Sequence, residues 1–116
     1  MVEPLIDPEE WETFKSIADP AIMVELLDAF LSDSPQLIEQ MHTGLSVGNC
    51  ELVRRAAHSL KSNSASFGGK RLANASRELE MLAKSGVLDG ARPKLAEIEA
   101  EYASLAAFLV EAKNAL

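Results

Sequence analysis

The chain lacks the features that define several common protein classes. Its one cysteine, Cys50, cannot form an internal disulfide. Only 5% of its residues are aromatic, whereas alanine, leucine and glutamate are plentiful, which favours helices over a sheet. No apolar run approaches the roughly 20 residues that span a bilayer, and the N-terminus lacks the basic and apolar segments of a signal peptide. We therefore expect an all-helical protein of the cytoplasm that does not enter membranes.

Motifs for nucleotide, nucleophile or metal chemistry are also missing. The sequence contains no glycine-rich phosphate loop, no Gly-x-Ser-x-Gly, and neither paired cysteines nor His-Glu-x-x-His. We expect no metal and no cofactor on this chain. Without an ATP site of its own, the chain is not expected to be an enzyme in the ordinary sense.

The net charge of -7 is unevenly distributed. Residues 51–71 carry a net charge of +4, so the remainder carries -11. An acidic chain with one cationic segment is not typical of a nucleic-acid-binding protein. It suits docking to a partner whose own active site is acidic. The cationic residues of the segment are Arg54, Arg55, Lys61, Lys70 and Arg71.

Start signals predict two helices in the first half of the chain. Asp7 followed by Pro8 opens a short helix to about Ala18, with Trp11, Phe14 and Ile17 or Ala18 on its apolar side. Asp19 and Pro20 repeat the signal before an apolar pattern from Ile22 to about Leu45. Pro35 is expected to kink this second helix or to restart it after Ser34. Gly44 and Gly48 are expected to close it.

Three further helices are predicted from residue 49 onward. Asn49 is a plausible cap for the third helix, Gly68-Gly69 separates it from a helix over 70–85, and Asp89-Gly90 precedes the last, which extends to Leu116. Short connections between amphipathic helices favour antiparallel neighbours. We expect an all-α fold, an up-down-up-down four-helix bundle with the short first helix covering one end. The chain length suits a single domain, residues 1–116.

One histidine stands where a helix exposes it to water. In a helix over 50–67, the apolar side chains fall on one arc and His58 falls almost opposite its centre. An exposed imidazole is partly neutral near pH 7 and can act as a nucleophile. The side chains one turn away would offset a phosphoryl charge or leave room for a partner: Arg54, Arg55, Lys61, Ser62 and, a turn further on, Ala65.

This segment resembles the histidine-containing phosphotransfer (HPt) domain family, whose signature is His-x-x-Lys-Gly followed by small residues and a closing glycine. The match comprises His58, Lys61, Ser64 and Gly68, with Ser62 in place of the usual glycine. It continues through Gly68-Gly69-Lys70-Arg71-Leu72 and Leu79-Glu80, which follow the family's spacing.

The resemblance implies a role in signalling. His58 would accept a phosphoryl group, Lys61 would help to hold its oxygens, and the chain would relay the group between receiver aspartates in a multistep two-component phosphorelay. The implied partners are response-regulator receiver domains, which would supply Mg²⁺, and a hybrid sensor histidine kinase, with the chain itself a monomer. The residues expected to dock these partners are Arg54, Arg55, Ser62, Ala65 and Gly68.

Two other interpretations stay open. The same fold could bind receivers or regulate a kinase without carrying phosphate, and Ser62 is the feature that favours this alternative. Alternatively, the chain is a structural bundle in which His58 is incidental, since a lone surface histidine is usually only solvated.

Overall fold

The structure, a computed structural model, describes residues 3–17 and 19–116. In these residues it contains five α-helices and no strand. Both α2 and α4 pack against α3 and against α5, and the four longer helices enclose one apolar core. No described helix is both long and apolar enough to cross a membrane. The helices are α1 (Pro8–Ile17), α2 (Pro20–Val47), α3 (Cys50–Ala65), α4 (Lys70–Lys84) and α5 (Ala91–Asn114).

The first three helices begin where the sequence predicts. The side chains of Asp7, Asp19 and Asn49 each accept a hydrogen bond of 3.0 Å from the backbone N–H three residues on. These bonds satisfy N–H groups that have no partner within the helix. The expected end of α1 at Ala18 lies outside the described residues.

Gly44 does not close α2, contrary to the prediction. It is buried inside the helix, where a Cβ would lie 2.6 Å from Val53 Cγ2. The glycine therefore allows α3 to approach α2 closely. The helix ends instead at Gly48, whose φ of +69° favours glycine and whose N–H donates to the Gly44 carbonyl.

Helix α2 continues through Pro35 without a restart. Proline has no backbone N–H, so the carbonyl of Leu31, four residues earlier, loses its helical partner. The hydroxyl of Tyr102 on α5 donates to that carbonyl at 3.3 Å. A side chain from a neighbouring helix thus replaces the missing hydrogen bond.

The buried faces follow the predicted periodicity except near the ends. On α3, Val53, Leu60 and Ser64 are buried and Leu52 is half-buried. Ile17, expected on the apolar side of α1, is 78% exposed, and Leu116 is 49% exposed. Both lie at or beyond a helix end, where fewer neighbouring elements are present to cover them.

All six aromatic residues of the chain belong to one cluster. Phe67, in the turn after α3, lies at its centre, with ring centroids 6.3 Å from Trp11, 6.0 Å from Phe14 and 5.0 Å from Phe30. Phe108 joins through Trp11, and Tyr102 joins through Phe30. Such pairs stabilise beyond the area they bury, so the cluster holds α1 against the turn between α3 and α4.

Gly68 completes this attachment. Its carbonyl accepts a hydrogen bond of 2.7 Å from the Asp7 N–H, and its φ is +93°. A Cβ on Gly68 would lie 2.9 Å from the Glu10 Cβ and 3.1 Å from the Asp7 carbonyl oxygen. Only glycine lets α1 sit this close to the turn.

We expect Gly68→Ala to destabilise the fold more than Gly86→Ala. Both residues have positive φ, but a Cβ on Gly86 would meet nothing within 4 Å. Gly86→Ala should cost about 1 kcal/mol of backbone strain, and Gly68→Ala about 1–3 kcal/mol more because it overpacks α1. Urea unfolding followed by Trp11 fluorescence measures both. Equal losses would contradict the close packing of α1 on Gly68.

Removing the Tyr102 hydroxyl should lower the stability of the fold mainly when Pro35 is present. Tyr102→Phe is expected to cost about 1 kcal/mol in the free energy of unfolding, since the Leu31 carbonyl loses its partner. In a Pro35→Ala background the restored backbone N–H takes over, so the same substitution should cost much less. A double-mutant cycle in urea tests this. Additive effects would show that the hydroxyl does not substitute for the missing N–H.

Candidate functional site

His58 is exposed on α3, as its helical position predicts. Its side chain is 56% exposed, while Ala57 and Leu60 on the opposite side of the helix are buried. The core therefore fixes the helix that carries the histidine, and the imidazole faces solvent where another protein can reach it.

One carboxylate on α4 holds both His58 and Lys61. Oε2 of Glu80 lies 2.7 Å from Nδ1 of His58, and Oε1 accepts a hydrogen bond of 2.7 Å from Nζ of Lys61. The Glu80 side chain is only 14% exposed, whereas that of Lys61 is 29% exposed. The two residues that the sequence singles out are thus brought together by a third.

Glu80 is ionised across the neutral range. Burial by itself raises the pKa of its carboxyl group, but the hydrogen bonds from Lys61 and His58 and the charges of both outweigh burial. The net effect lowers the pKa of Glu80 below its usual value of 4.5.

This carboxylate determines which nitrogen of His58 is available for chemistry. An ionised carboxylate can only accept hydrogen bonds, so the nearby Nδ1 carries the proton. In the neutral ring the lone pair is then on Nε2, which makes no hydrogen bond with the described residues. The hydrogen bond at Nδ1 fixes the orientation of the ring and leaves Nε2 available as a nucleophile.

The predicted docking residues occupy different environments. Ser62 and Ala65 are exposed on the same side of α3 as His58. Arg54 is held by two hydrogen bonds to Glu51, and Arg55 is exposed. Gly68 is buried beneath α1, so the structure places it in the turn and away from the exposed surface.

In the folded chain, nearby carboxylates offset most of the positive charge of residues 51–71. Every one of the five cations in this segment lies within 4.0 Å of a carboxylate. Three of the partners, Glu10, Glu80 and Glu101, come from outside residues 51–71. The excess of +4 along the chain therefore overstates the positive charge that a partner meets.

Glu80, the partner of His58, is not among the site residues predicted from the sequence. In the sequence, Leu79-Glu80 matches the family's spacing, and Glu80 is a poor candidate for acid-base work with Glu78 because the two do not share a helix face. A usable signal was present, because His58 lies ten residues before Gly68 and Glu80 lies eleven after Gly69. In two helices that run in opposite directions from one turn, such positions come to the same level.

Comparisons with known proteins identify the family of the chain. The Hpt domain family model matches residues 25–108, and the chain belongs to that family. The structure is similar to histidine-containing phosphotransfer protein B (HptB) from Pseudomonas aeruginosa PAO1, with a TM-score of 0.92 and 27% identity over 99% of both chains. Histidine phosphotransfer in phosphorelay signalling follows as the function of the chain.

A plant protein shares the fold. The chain resembles histidine-containing phosphotransfer protein MtHPt2 from Medicago truncatula, with a TM-score of 0.77 and 24% identity over 94% of this chain and 76% of the other. At that identity the likeness concerns the fold alone. No curated protein matches the chain.

Glu80→Gln should lower stability in a pH-dependent way. Because folding lowers the pKa of Glu80, its ionised form stabilises the fold above pH 4.5, and this stabilisation is lost as the pH falls through the folded-state pKa. We expect wild type to exceed the variant by about 1 kcal/mol between about pH 5 and 7, and by less in stronger acid. Urea unfolding across this pH range measures the difference.

Glu25→Gln provides the matched control. Glu25 is exposed and forms no ion pair with the described residues, so its loss should change stability little at any pH. A difference between wild type and Glu80→Gln that does not vary with pH would contradict the proposed role of the Glu80 charge.

Proposed function

We propose that Nε2 of His58 is the atom that carries the phosphoryl group. The carrying observation is the hydrogen bond between Glu80 and Nδ1, which in the neutral ring leaves the lone pair on Nε2 of an exposed side chain. In the forward step the Nε2 lone pair attacks phosphorus, and the bond from phosphorus to the receiver's aspartyl oxygen breaks. The aspartate leaves as a carboxylate, and the phosphorylated ring keeps its proton on Nδ1.

Glu80 and Lys61 stabilise opposite charges in this step. The phosphorylated ring is positive while Nδ1 stays protonated, and the Glu80 carboxylate at 2.7 Å offsets that charge. Lys61 has three N–H donors, of which Glu80 takes one, and it lies one helical turn from His58. Its remaining donors are available to the phosphoryl oxygens. Transfer to a second receiver reverses the same bond changes.

We also propose the partners of the chain, its location and the arrangement of its helices. The chain acts as a phosphoryl carrier without an ATP site of its own, between receiver domains that supply Mg²⁺ and a hybrid sensor histidine kinase upstream. Residues 1–116 form one domain that works as a monomer in the cytoplasm. Helices α2 to α5 form an antiparallel up-down-up-down bundle with α1 across one end, an arrangement supported by the four packed helix pairs and by the attachment of α1 to the turn at Gly68.

Replacing His58 by glutamine should abolish phosphoryl uptake without unfolding the chain, because the side chain is exposed. The chain is incubated with a phosphorylated receiver domain and Mg²⁺, and label that is acid-labile and base-stable is measured. His42→Gln is the control, because His42 is a similarly exposed histidine whose Nε2 lies 3.2 Å from Glu99. The control is expected to take up label like wild type.

Label retained by His58→Gln would exclude His58 as the acceptor. Binding of receivers without any label on wild type would instead favour the alternative that the chain is a docking module.

A further inference from the structure

Arg77 on α4 differs from the other cations around the site. Lys61 and Lys70 are held by Glu80 and Glu10, at 2.7 and 3.3 Å. Arg77 is exposed, and no carboxylate of the described residues lies within ion-pair distance of it. Its guanidinium is therefore available to a molecule outside the chain.

This arginine and Lys61 line the same open cleft. The cleft has a volume of about 530 Å³ and lies between α1, α3 and α4. Lys61 and Ala65 form part of its α3 wall, and Arg77 stands on its α4 wall, one helical turn from Glu80. Glu80 contacts both Lys61 and His58. Because Lys61 also lines the cleft, the cleft adjoins the hydrogen bonds that hold the imidazole.

The two outer walls of the cleft carry opposite free charges. Glu9, on the α1 wall, is exposed like Arg77 on the α4 wall, and neither forms an ion pair with the described residues. The rest of the lining is mixed: it includes the Lys70–Glu10 ion pair as well as the apolar Ile17 and Ala73. A partner that places a carboxylate in the cleft would be attracted by the α4 wall and repelled by the α1 wall.

We propose that this cleft docks the acidic rim of a receiver domain, and that Arg77 binds a carboxylate of that rim. The inference rests on the proposed function, which requires an acidic, Mg²⁺-holding site to come within bonding distance of His58. A chain with a net charge of -7 repels such a site at long range. A cation without an ion-pair partner among the described residues, one helical turn from Glu80, offsets this repulsion near the place where approach is required.

The chemistry of arginine suits this role. Its planar guanidinium can bind a carboxylate through two parallel hydrogen bonds, which fixes the direction of approach as well as adding attraction. Lysine at this position would keep the charge but lose the two-point geometry. Arg77→Lys should therefore recover only part of the effect of the arginine.

The experiment measures phosphoryl transfer to the full chain as a function of receiver concentration. The donor is the receiver that labels wild type fastest within a panel phosphorylated by acetyl phosphate and Mg²⁺. Arg77→Gln should raise the half-saturating concentration about two- to fivefold and leave the saturating rate unchanged. Glu9→Gln should shift it in the opposite direction. Both shifts should shrink at about 0.5 M salt, because exposed charges are then screened.

Two controls separate docking from net charge. Arg92→Gln and Glu25→Gln change the total charge by the same amounts, but neither residue lines the cleft. Both should behave as wild type. Labelling of His58 by phosphoramidate, a small donor that needs no docking surface, should be the same in Arg77→Gln and wild type.

The results that overturn this proposal differ from those that overturn the proposed function. A half-saturating concentration for Arg77→Gln equal to that of wild type, or equal to that of Arg92→Gln, would remove the docking role and leave the relay intact. A lower rate with phosphoramidate would show that Arg77 acts on the imidazole and not on the partner. Failure of every receiver to label wild type would overturn the relay and this proposal together.

Discussion

The tight turn between α3 and α4 is the constraint on which the site depends. Gly68 and Gly69 let the chain reverse while α1 packs directly on the turn, and Phe67 anchors the turn in the aromatic cluster. The turn sets the level at which the two helices meet. At that level a carboxylate on α4 lies opposite the histidine on α3, so the geometry of the site follows from the packing beside it.

Glu80 allows His58 to be exposed and yet held in one orientation. As the proposed phosphoryl acceptor, His58 must be exposed to serve several partners, yet an exposed imidazole can rotate and protonate at either nitrogen. A nearly buried carboxylate fixes one nitrogen from the protein side and leaves the other to solvent. The same carboxylate holds Lys61, so ring orientation and local positive charge depend on a single side chain.

Structural features that depend only on residues close together in the sequence could be predicted. The caps at Asp7, Asp19 and Asn49 and the exposure of His58 depend on neighbours within about one helical turn, and the structure confirms them. Pro35 and Gly44 are different, because each usually ends a helix. Here a hydroxyl from α5 and a close contact from α3 give them other roles, and those partners are distant in sequence.

The sequence by itself determined that the chain is helical, where most helices begin, and that His58 and Lys61 share an outward face, because helix periodicity and capping act between residues a few positions apart. Only the tertiary structure decided that Glu80 joins these two residues, that carboxylates from other segments pair three of the five predicted cations, and that Arg77 stays unpaired among the described residues. Those outcomes depend on the register of one helix against another, which is set by close packing of the helices and by the contacts of the partly buried Glu80.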